Sequence, residues 1–68
     1  MANGKRVVIV GAGAREHALA TAIARGGHHV VVAPGNAGTE SVARNADVRA
    51  DDVPGLVALA VEIGRAHV

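Results

Sequence analysis

The sequence predicts an α/β fold in which helices flank a parallel β-sheet, and two observations carry this prediction. Two predicted strands, Lys5–Val10 and His28–Ala33, each end with four consecutive apolar residues, most of them β-branched, which is typical of strands buried on both faces of a parallel sheet. Between these runs, and again near the end of the chain, apolar residues recur at helical spacing. The resulting β-α-β order favours parallel pairing through a helical crossover.

The first helix is predicted at Ala14–Arg25, shortly after the first strand. Gly26 and Gly27 follow it, and glycine is the residue that most readily ends a helix. The second strand is followed by Pro34–Asn36, three residues that favour a turn. The face of this helix that we expect to be buried comprises Ala14, Ala18, Leu19, Ala22 and Ile23.

The rest of the chain is predicted to form a loop, a short strand and a closing helix. Residues 37–46 are small and polar, which favours a loop with one helical turn, and Asn45–Ala50 is a candidate third strand. Asp51 and Asp52 offer side-chain oxygens that cap a helix, and Pro54 is tolerated in its first turn. The buried stripe of this helix is expected to comprise Leu56, Val57, Leu59, Ala60 and Ile63.

Length and composition restrict the class of protein. The chain has 68 residues with no aromatic residue and no cysteine, so its core has small side chains and neither disulfides nor thiolate metal sites. A formal net charge of +1 gives no electrostatic case for a nucleic acid or a membrane as partner. No apolar stretch approaches the ~20 residues of a membrane span, and no signal-peptide core follows the first charges. We therefore expect a soluble, cytoplasmic chain that forms one small domain or part of a larger one.

The segment Gly11–Ala14 joins the first predicted strand to the first predicted helix. Such an element aims backbone N–H groups and the positive end of a helix dipole at one point, which suits an anion, most often a phosphate. A dinucleotide site would need glycine in place of Glu16 and an acidic residue near Pro34, and a triphosphate loop would need a Gly-Lys-Ser/Thr sequence. NAD, FAD and a bound triphosphate are therefore disfavoured, and a purely structural role of the glycines remains the alternative.

Three charged or titratable side chains, Arg15, Glu16 and His17, occupy the first turn of this helix. Arginine can reach a phosphate, and a carboxylate can accept hydrogen bonds from sugar hydroxyls or an amine. The alternative is a solvated turn in which Glu16 only complements the helix dipole. The remaining histidines and two surface arginines are interpreted as having no functional role: His28, His29, His67, Arg25 and Arg44.

A second glycine-containing segment, Ala33–Thr39, follows the second predicted strand as Gly11–Ala14 follows the first. The carboxyl ends of parallel strands meet at one edge of the sheet, where ligands of open α/β sheets bind. Two such loops at one edge predict a ligand crevice more strongly than either loop alone.

The segments Gly11–Leu19 and Val32–Thr39, at this separation, resemble the N-terminal domain of the phosphoribosylamine–glycine ligases, or glycinamide ribonucleotide synthetases, of the ATP-grasp superfamily. The resemblance extends to about Gly64, and Ala14 departs from it because the family usually has glycine there. It implies a Rossmann-like pre-ATP-grasp domain and the second step of purine biosynthesis. In that step ATP phosphorylates glycine, and the amine of 5-phosphoribosylamine attacks the acyl phosphate to give glycinamide ribonucleotide, ADP and phosphate.

The same resemblance implies which residues face the substrate. The substrate 5-phosphoribosylamine would contact three groups of residues. These are the backbone N–H groups of the first loop, the side chains in the first turn of the first helix, and the second loop, which faces them. These substrate-binding residues are Gly11, Gly13, Ala14, Arg15, Glu16, His17, Pro34, Gly35 and Asn36. No residue of this chain is expected to be catalytic or to bind a metal, because ATP and Mg²⁺ would be held by later domains that the chain lacks.

The end of the chain departs from the resemblance. The family continues into another apolar strand, whereas this chain ends with Arg65–Val68. We therefore expect residues 1–68 to form an incomplete N-terminal domain. The tail at residues 65–68 is interpreted as non-native, and an ordinary helix end with a terminal histidine is the alternative. Without the next strand, Val7–Val10 would be an exposed apolar edge, so we expect the isolated chain to be poorly soluble or partly unfolded, and inactive as a ligase. The alternatives are a Rossmann-type nucleotide-binding oxidoreductase, another pre-ATP-grasp carboxy-ligase and a stand-alone binding module.

Overall fold

A computed structural model describes residues 4–65, in which strands and helices alternate. The elements are β1 (Arg6–Gly11), α1 (Ala14–Arg25), β2 (His29–Pro34), α2 (Ala37–Glu40), β3 (Arg44–Asn45) and α3 (Val53–Arg65). The strands form one sheet in the order β1-β2-β3, and both neighbouring pairs are parallel. The predicted α/β class with a parallel sheet is therefore confirmed.

The core lies on both faces of β2, the middle strand of this sheet. Successive residues of a strand point to opposite faces. One apolar cluster joins alternate residues of β2 to β1 and α1: Ile9, Ala20, Val30 and Val32. A second cluster joins the intervening residues of β2 to α3 and its preceding loop: Val31, Ala33, Ala46, Leu59 and Ile63. The helices α1 and α3 therefore cover opposite faces of the sheet.

The strands differ in their bounds from the prediction. β1 and β2 each begin and end one residue later than expected. The predicted third strand Asn45–Ala50 is wrong in extent, since β3 has only two residues. The reason is local: the Val48 N–H donates to the Ala46 carbonyl at 2.8 Å, which bends the chain away from the sheet. The single helical turn predicted within residues 37–46 is confirmed as α2.

The glycine after α1 and an aspartate before α3 have the capping roles that their residue types predict. The bounds of α1 are those predicted, and Gly27 follows it in the left-handed region with φ +87°. At the start of α3, Asp52 Oδ1 accepts the Gly55 N–H at 3.0 Å, which is the predicted cap. Asp51 does not cap; its carboxylate pairs with Arg49 at 2.9 Å.

The buried face of α1 agrees with the prediction only at Ile23. Ala20 is its fully buried residue, and Ile23 is half-buried against the same cluster. The predicted residues that prove to be exposed are Ala14, Ala18, Leu19 and Ala22. Alanines occur all round this helix and each carries little apolar surface, so helical spacing alone does not select one face. The small Ala20 lets the helix lie close to the sheet.

The buried stripe of α3 is narrower than predicted. Leu59 and Ile63 are 6% and 5% exposed, and Leu56 packs against them. Val57 and Ala60 were expected in this stripe but are exposed, because the short sheet covers only part of the helix. An exposed row follows a four-residue spacing along α3: Val53, Val57 and Val61.

Within residues 4–65, β1 lies at one edge of the sheet, with β2 beside it and no strand on its other side. Val10 is 45% exposed, whereas Ile9 is buried, so β1 is the predicted edge strand but only one of the residues Val7–Val10 is exposed. No helix in the same range is long and apolar enough to cross a membrane. Residues 66–68, with His67 and most of the predicted non-native tail, lie outside the described residues, as do residues 1–3.

Candidate ligand site

The candidate site lies where β1 and β2 end side by side. We call residues 11–14 the glycine loop and residues 34–36 the second loop. The parallel ladder ends with the pair of Gly11 and Pro34, and the Gly35 N–H then donates to the Gly11 carbonyl at 3.0 Å. The two loops are therefore in contact, which confirms that they share one edge of the sheet.

The glycine loop is folded around the carboxylate of Glu16. Gly11 has φ +140°, a conformation that side chains rarely adopt. A Cβ at Gly11 would lie 2.7 Å from Cγ and Cδ of Glu16, so only glycine leaves room for that side chain. Gly13 has an extended backbone with φ −95°, and its N–H donates to Glu16 Oε1 at 2.7 Å.

This contact changes what the glycine loop offers a ligand. The half-buried carboxylate of Glu16 takes the Gly13 N–H and complements the positive end of the α1 dipole, as in the structural alternative. An anion would compete with this carboxylate for the N–H group. A hydroxyl or an amine would instead find an acceptor there, because an ionised carboxylate accepts hydrogen bonds at both oxygens.

Asn36 connects the two loops through its side chain. Its Nδ2 donates to the Ala12 carbonyl at 2.6 Å and lies 3.5 Å from the Gly13 carbonyl. Its Oδ1 accepts the Thr39 N–H at 2.9 Å, which caps the short helix α2. The amide of Asn36 thus links the glycine loop to α2, and a carboxylate could replace only the accepting Oδ1, because it has no proton to donate to the Ala12 carbonyl.

Beneath the second loop lies a polar group that sequence reasoning missed. Thr39 is fully buried, and its Oγ1 accepts the Asn36 N–H at 2.7 Å. The same hydroxyl lies 2.7 Å from Asn45 Oδ1, while Asn45 Nδ2 donates to the Asn36 carbonyl at 2.8 Å. The signal in the sequence was a threonine and an asparagine close to the carboxyl ends of two neighbouring strands.

The other sequence-predicted side chains lie around this centre. Arg15 is exposed. His17 is half-buried beside α2, where a Cβ at Gly38 would lie 3.3 Å from its Nδ1. At the amino ends of β1 and β2, far from the two loops, His28 Nδ1 accepts the Lys5 N–H at 3.0 Å. This contact gives His28 a structural role.

A shallow groove adjoins the second loop, and sequence reasoning missed it as well. Its lining residues are Pro34, Arg49, Ala50 and Asp51. The ion pair of Arg49 and Asp51 joins side chains that are 82% and 72% exposed, so it contributes at most about 1 kcal/mol. Arg49 is therefore a solvated cation at the same edge of the sheet as the two loops.

Comparison with known proteins decides the family. The family model described as "Phosphoribosylglycinamide synthetase, N domain" matches residues 5–68. The chain belongs to this family. The resemblance inferred from the two loops is therefore confirmed.

Relatives of this chain carry the name phosphoribosylamine–glycine ligase. The relative from Caulobacter vibrioides is 53% identical over 60 residues, covering 85% of this chain and 14% of the relative. The relative from Mycobacterium tuberculosis is 46% identical over 61 residues, covering 87% and 14%. This chain thus spans about one seventh of the length of the relatives it matches.

A solved structure agrees with the fold of this chain. The crystal structure of phosphoribosylamine–glycine ligase from Thermotoga maritima matches it with a TM-score of 0.62 and 45% identity, covering 65% of this chain and 11% of that one. Within residues 4–65, no three His, Asp or Glu side chains are grouped to hold one metal ion.

Proposed function

We propose that this chain forms part of the 5-phosphoribosylamine site of a phosphoribosylamine–glycine ligase that acts in purine biosynthesis. The observation that carries the proposal is the contact between the two loops, where Asn36 Nδ2 donates to the Ala12 carbonyl at 2.6 Å. This contact forms a single surface at the sheet edge where ligands of open α/β sheets bind. Family membership and the names of the relatives supply the reaction.

The proposed reaction joins an amine to a carboxylate. ATP phosphorylates the carboxylate of glycine, the amine of 5-phosphoribosylamine attacks the acyl carbon, and inorganic phosphate leaves. The products are glycinamide ribonucleotide, ADP and phosphate. Nothing at the two loops activates a carboxylate, and in residues 4–65 the acidic side chains do not form a metal site. We therefore assign ATP and Mg²⁺ to the parts of the relatives that this chain does not span.

The hydrogen bond made by Glu16 indicates which group of the substrate binds at the glycine loop. Its Oε1 accepts the Gly13 N–H, which leaves its other oxygen to accept from a ribose hydroxyl or from the substrate amine. A phosphate placed at the same point would face a carboxylate. We therefore assign the substrate phosphate to Arg15, which is exposed in the first turn of α1.

A chimeric enzyme tests this function. Residues 5–64 of this chain would replace the matching segment of the Caulobacter vibrioides relative, which is 53% identical over 60 residues. We expect the chimera to restore purine-independent growth to a bacterium that lacks its own ligase. The purified chimera should also form ADP only when phosphoribosylamine and glycine are both present. A chimera that melts cooperatively but forms no glycinamide ribonucleotide would contradict the proposal.

A further inference from the structure

The hydroxyl of Thr39 has a fixed pattern of hydrogen bonds. It accepts the Asn36 N–H at 2.7 Å, and its single proton points either to the Asn36 carbonyl at 2.9 Å or to Asn45 Oδ1 at 2.7 Å. Asn45 Nδ2 already donates to the Asn36 carbonyl at 2.8 Å. The arrangement that satisfies every group is therefore donation from Thr39 to Asn45, and from Asn45 to Asn36.

This pattern requires an amide at position 45. The amide oxygen receives the Thr39 proton, and the amide nitrogen supplies a proton to the Asn36 carbonyl. A carboxylate of the same shape would place an oxygen against that carbonyl oxygen. Asn45 lies in β3 and is paired with Val32 of β2, so its amide is fixed to the sheet rather than to the loop.

The second loop packs against this amide without free space. Gly35 has φ +75°, and a Cβ there would collide with the amide of Asn45 and would lie 2.7 Å from Thr39 Oγ1. The adjacent Asn36 then reaches across to the Ala12 carbonyl of the glycine loop. A continuous series of contacts thus runs from β3, through Thr39 and the second loop, to the glycine loop.

We infer that Asn45 and Thr39 are positioning residues for the phosphoribosylamine site: they hold the second loop at the distance from the glycine loop that the substrate requires. The inference rests on the proposed function of these loops. Neither residue needs to touch the substrate. Their effect passes through Asn36, whose backbone N–H and carbonyl they bind and whose side chain contacts the glycine loop.

Steady-state kinetics of the chimeric ligase test this inference. Asn45→Asp and Thr39→Val should each raise the KM for phosphoribosylamine about tenfold, which corresponds to about 1.4 kcal/mol of lost binding free energy. The kcat and the KM values for ATP and glycine should stay within about twofold of the unsubstituted chimera. Thr39→Ser keeps the hydroxyl and should restore the KM for phosphoribosylamine to within the same range.

A matched control separates positioning from stability. Ile63→Ala removes buried side-chain atoms from α3, on the other face of the sheet, and should lower the melting temperature at least as much as Asn45→Asp. It should leave the KM for phosphoribosylamine unchanged. The inference is wrong if Asn45→Asp leaves that KM unchanged in an active chimera, or if Ile63→Ala raises it equally. An unsubstituted chimera that is folded but inactive would instead contradict the proposed function itself.

Discussion

A methyl group added at Gly35 should destabilise the chain much more than the same group added at Gly27. Both glycines have positive φ, +75° and +87°, so alanine costs about 1–2 kcal/mol at either position for the left-handed backbone. Around Gly27, apart from its chain neighbours, no heavy atom lies within 4 Å of the added Cβ. At Gly35 the Cβ collides with Asn45, so the two substitutions differ in packing alone.

The size of the difference follows from the contact at Gly35. Forcing an extra carbon into a filled site costs about 1–3 kcal/mol. The total loss should therefore be about 2–5 kcal/mol for Gly35→Ala and about 1–2 kcal/mol for Gly27→Ala. For a domain of this size, 1 kcal/mol shifts the melting temperature by about 4–8 °C, so the two variants should differ by at least about 4 °C.

Thermal unfolding followed by far-ultraviolet circular dichroism measures this difference, because the chain has no tryptophan or tyrosine for fluorescence. Trimethylamine N-oxide in the buffer would favour the folded state of a chain with so small a core. Equal melting temperatures for Gly35→Ala and Gly27→Ala would refute the close packing of the second loop against Asn45.

Three further outcomes are expected. Asp52→Ala removes the cap of α3 and should cost about 1 kcal/mol in chemical unfolding, whereas Asp51→Ala should cost less than about 0.5 kcal/mol; equal losses would contradict the assignment of the cap. Without trimethylamine N-oxide, the isolated 68-residue chain should associate through the open edge of β1 and make no product, and Val10→Lys should reduce its light scattering; a dilute monomer with a sharp, cooperative melt in that buffer would contradict this. The chimeric ligase should not bind NADH in a fluorescence titration, because Glu16 occupies the glycine loop; saturable binding would favour the oxidoreductase alternative.

The parts of the fold that were predictable are those for which the side-chain pattern favours a single element. Continuous β-branched runs favour strands of a parallel sheet, so β1 and β2 followed from the sequence to within one residue. The face of α1 did not follow, because alanines on every side make several helical stripes equivalent, and the tertiary contact of Ala20 decides among them. The end of β3 did not follow either, since a single backbone hydrogen bond at Ala46 turns the chain.

For the site, the meeting of the two loops was predictable, but the hydrogen bonds of the side chains beneath them were not. Parallel strands end at one edge, so the meeting of the glycine loop and the second loop follows from the order of elements. The network of Thr39 and Asn45 did not follow, because it depends on the register that pairs Asn45 with Val32. The sequence also left open whether Glu16 caps the helix or serves a ligand, and the contact with Gly13 shows that capping occupies one of its two oxygens.

The central claim, that phosphoribosylamine binds against the glycine loop, is tested most directly by Gly13→Val in the chimeric ligase. Gly13 has an extended backbone that any residue adopts, and a Cβ there would lie 3.0 Å from Glu16 Oε1. Valine therefore perturbs the carboxylate and the approach to the loop without left-handed strain. We predict that the KM for phosphoribosylamine rises at least about tenfold, since about 1.4 kcal/mol of binding is lost, while the KM for ATP stays within about twofold.

The matched control for this measurement is His28→Ala, which removes a side chain at the amino end of β2, away from the two loops. It should leave the KM for phosphoribosylamine and the KM for ATP unchanged. The account is contradicted if Gly13→Val impairs the use of ATP as much as the use of phosphoribosylamine in a folded enzyme, or if His28→Ala proves the more damaging substitution.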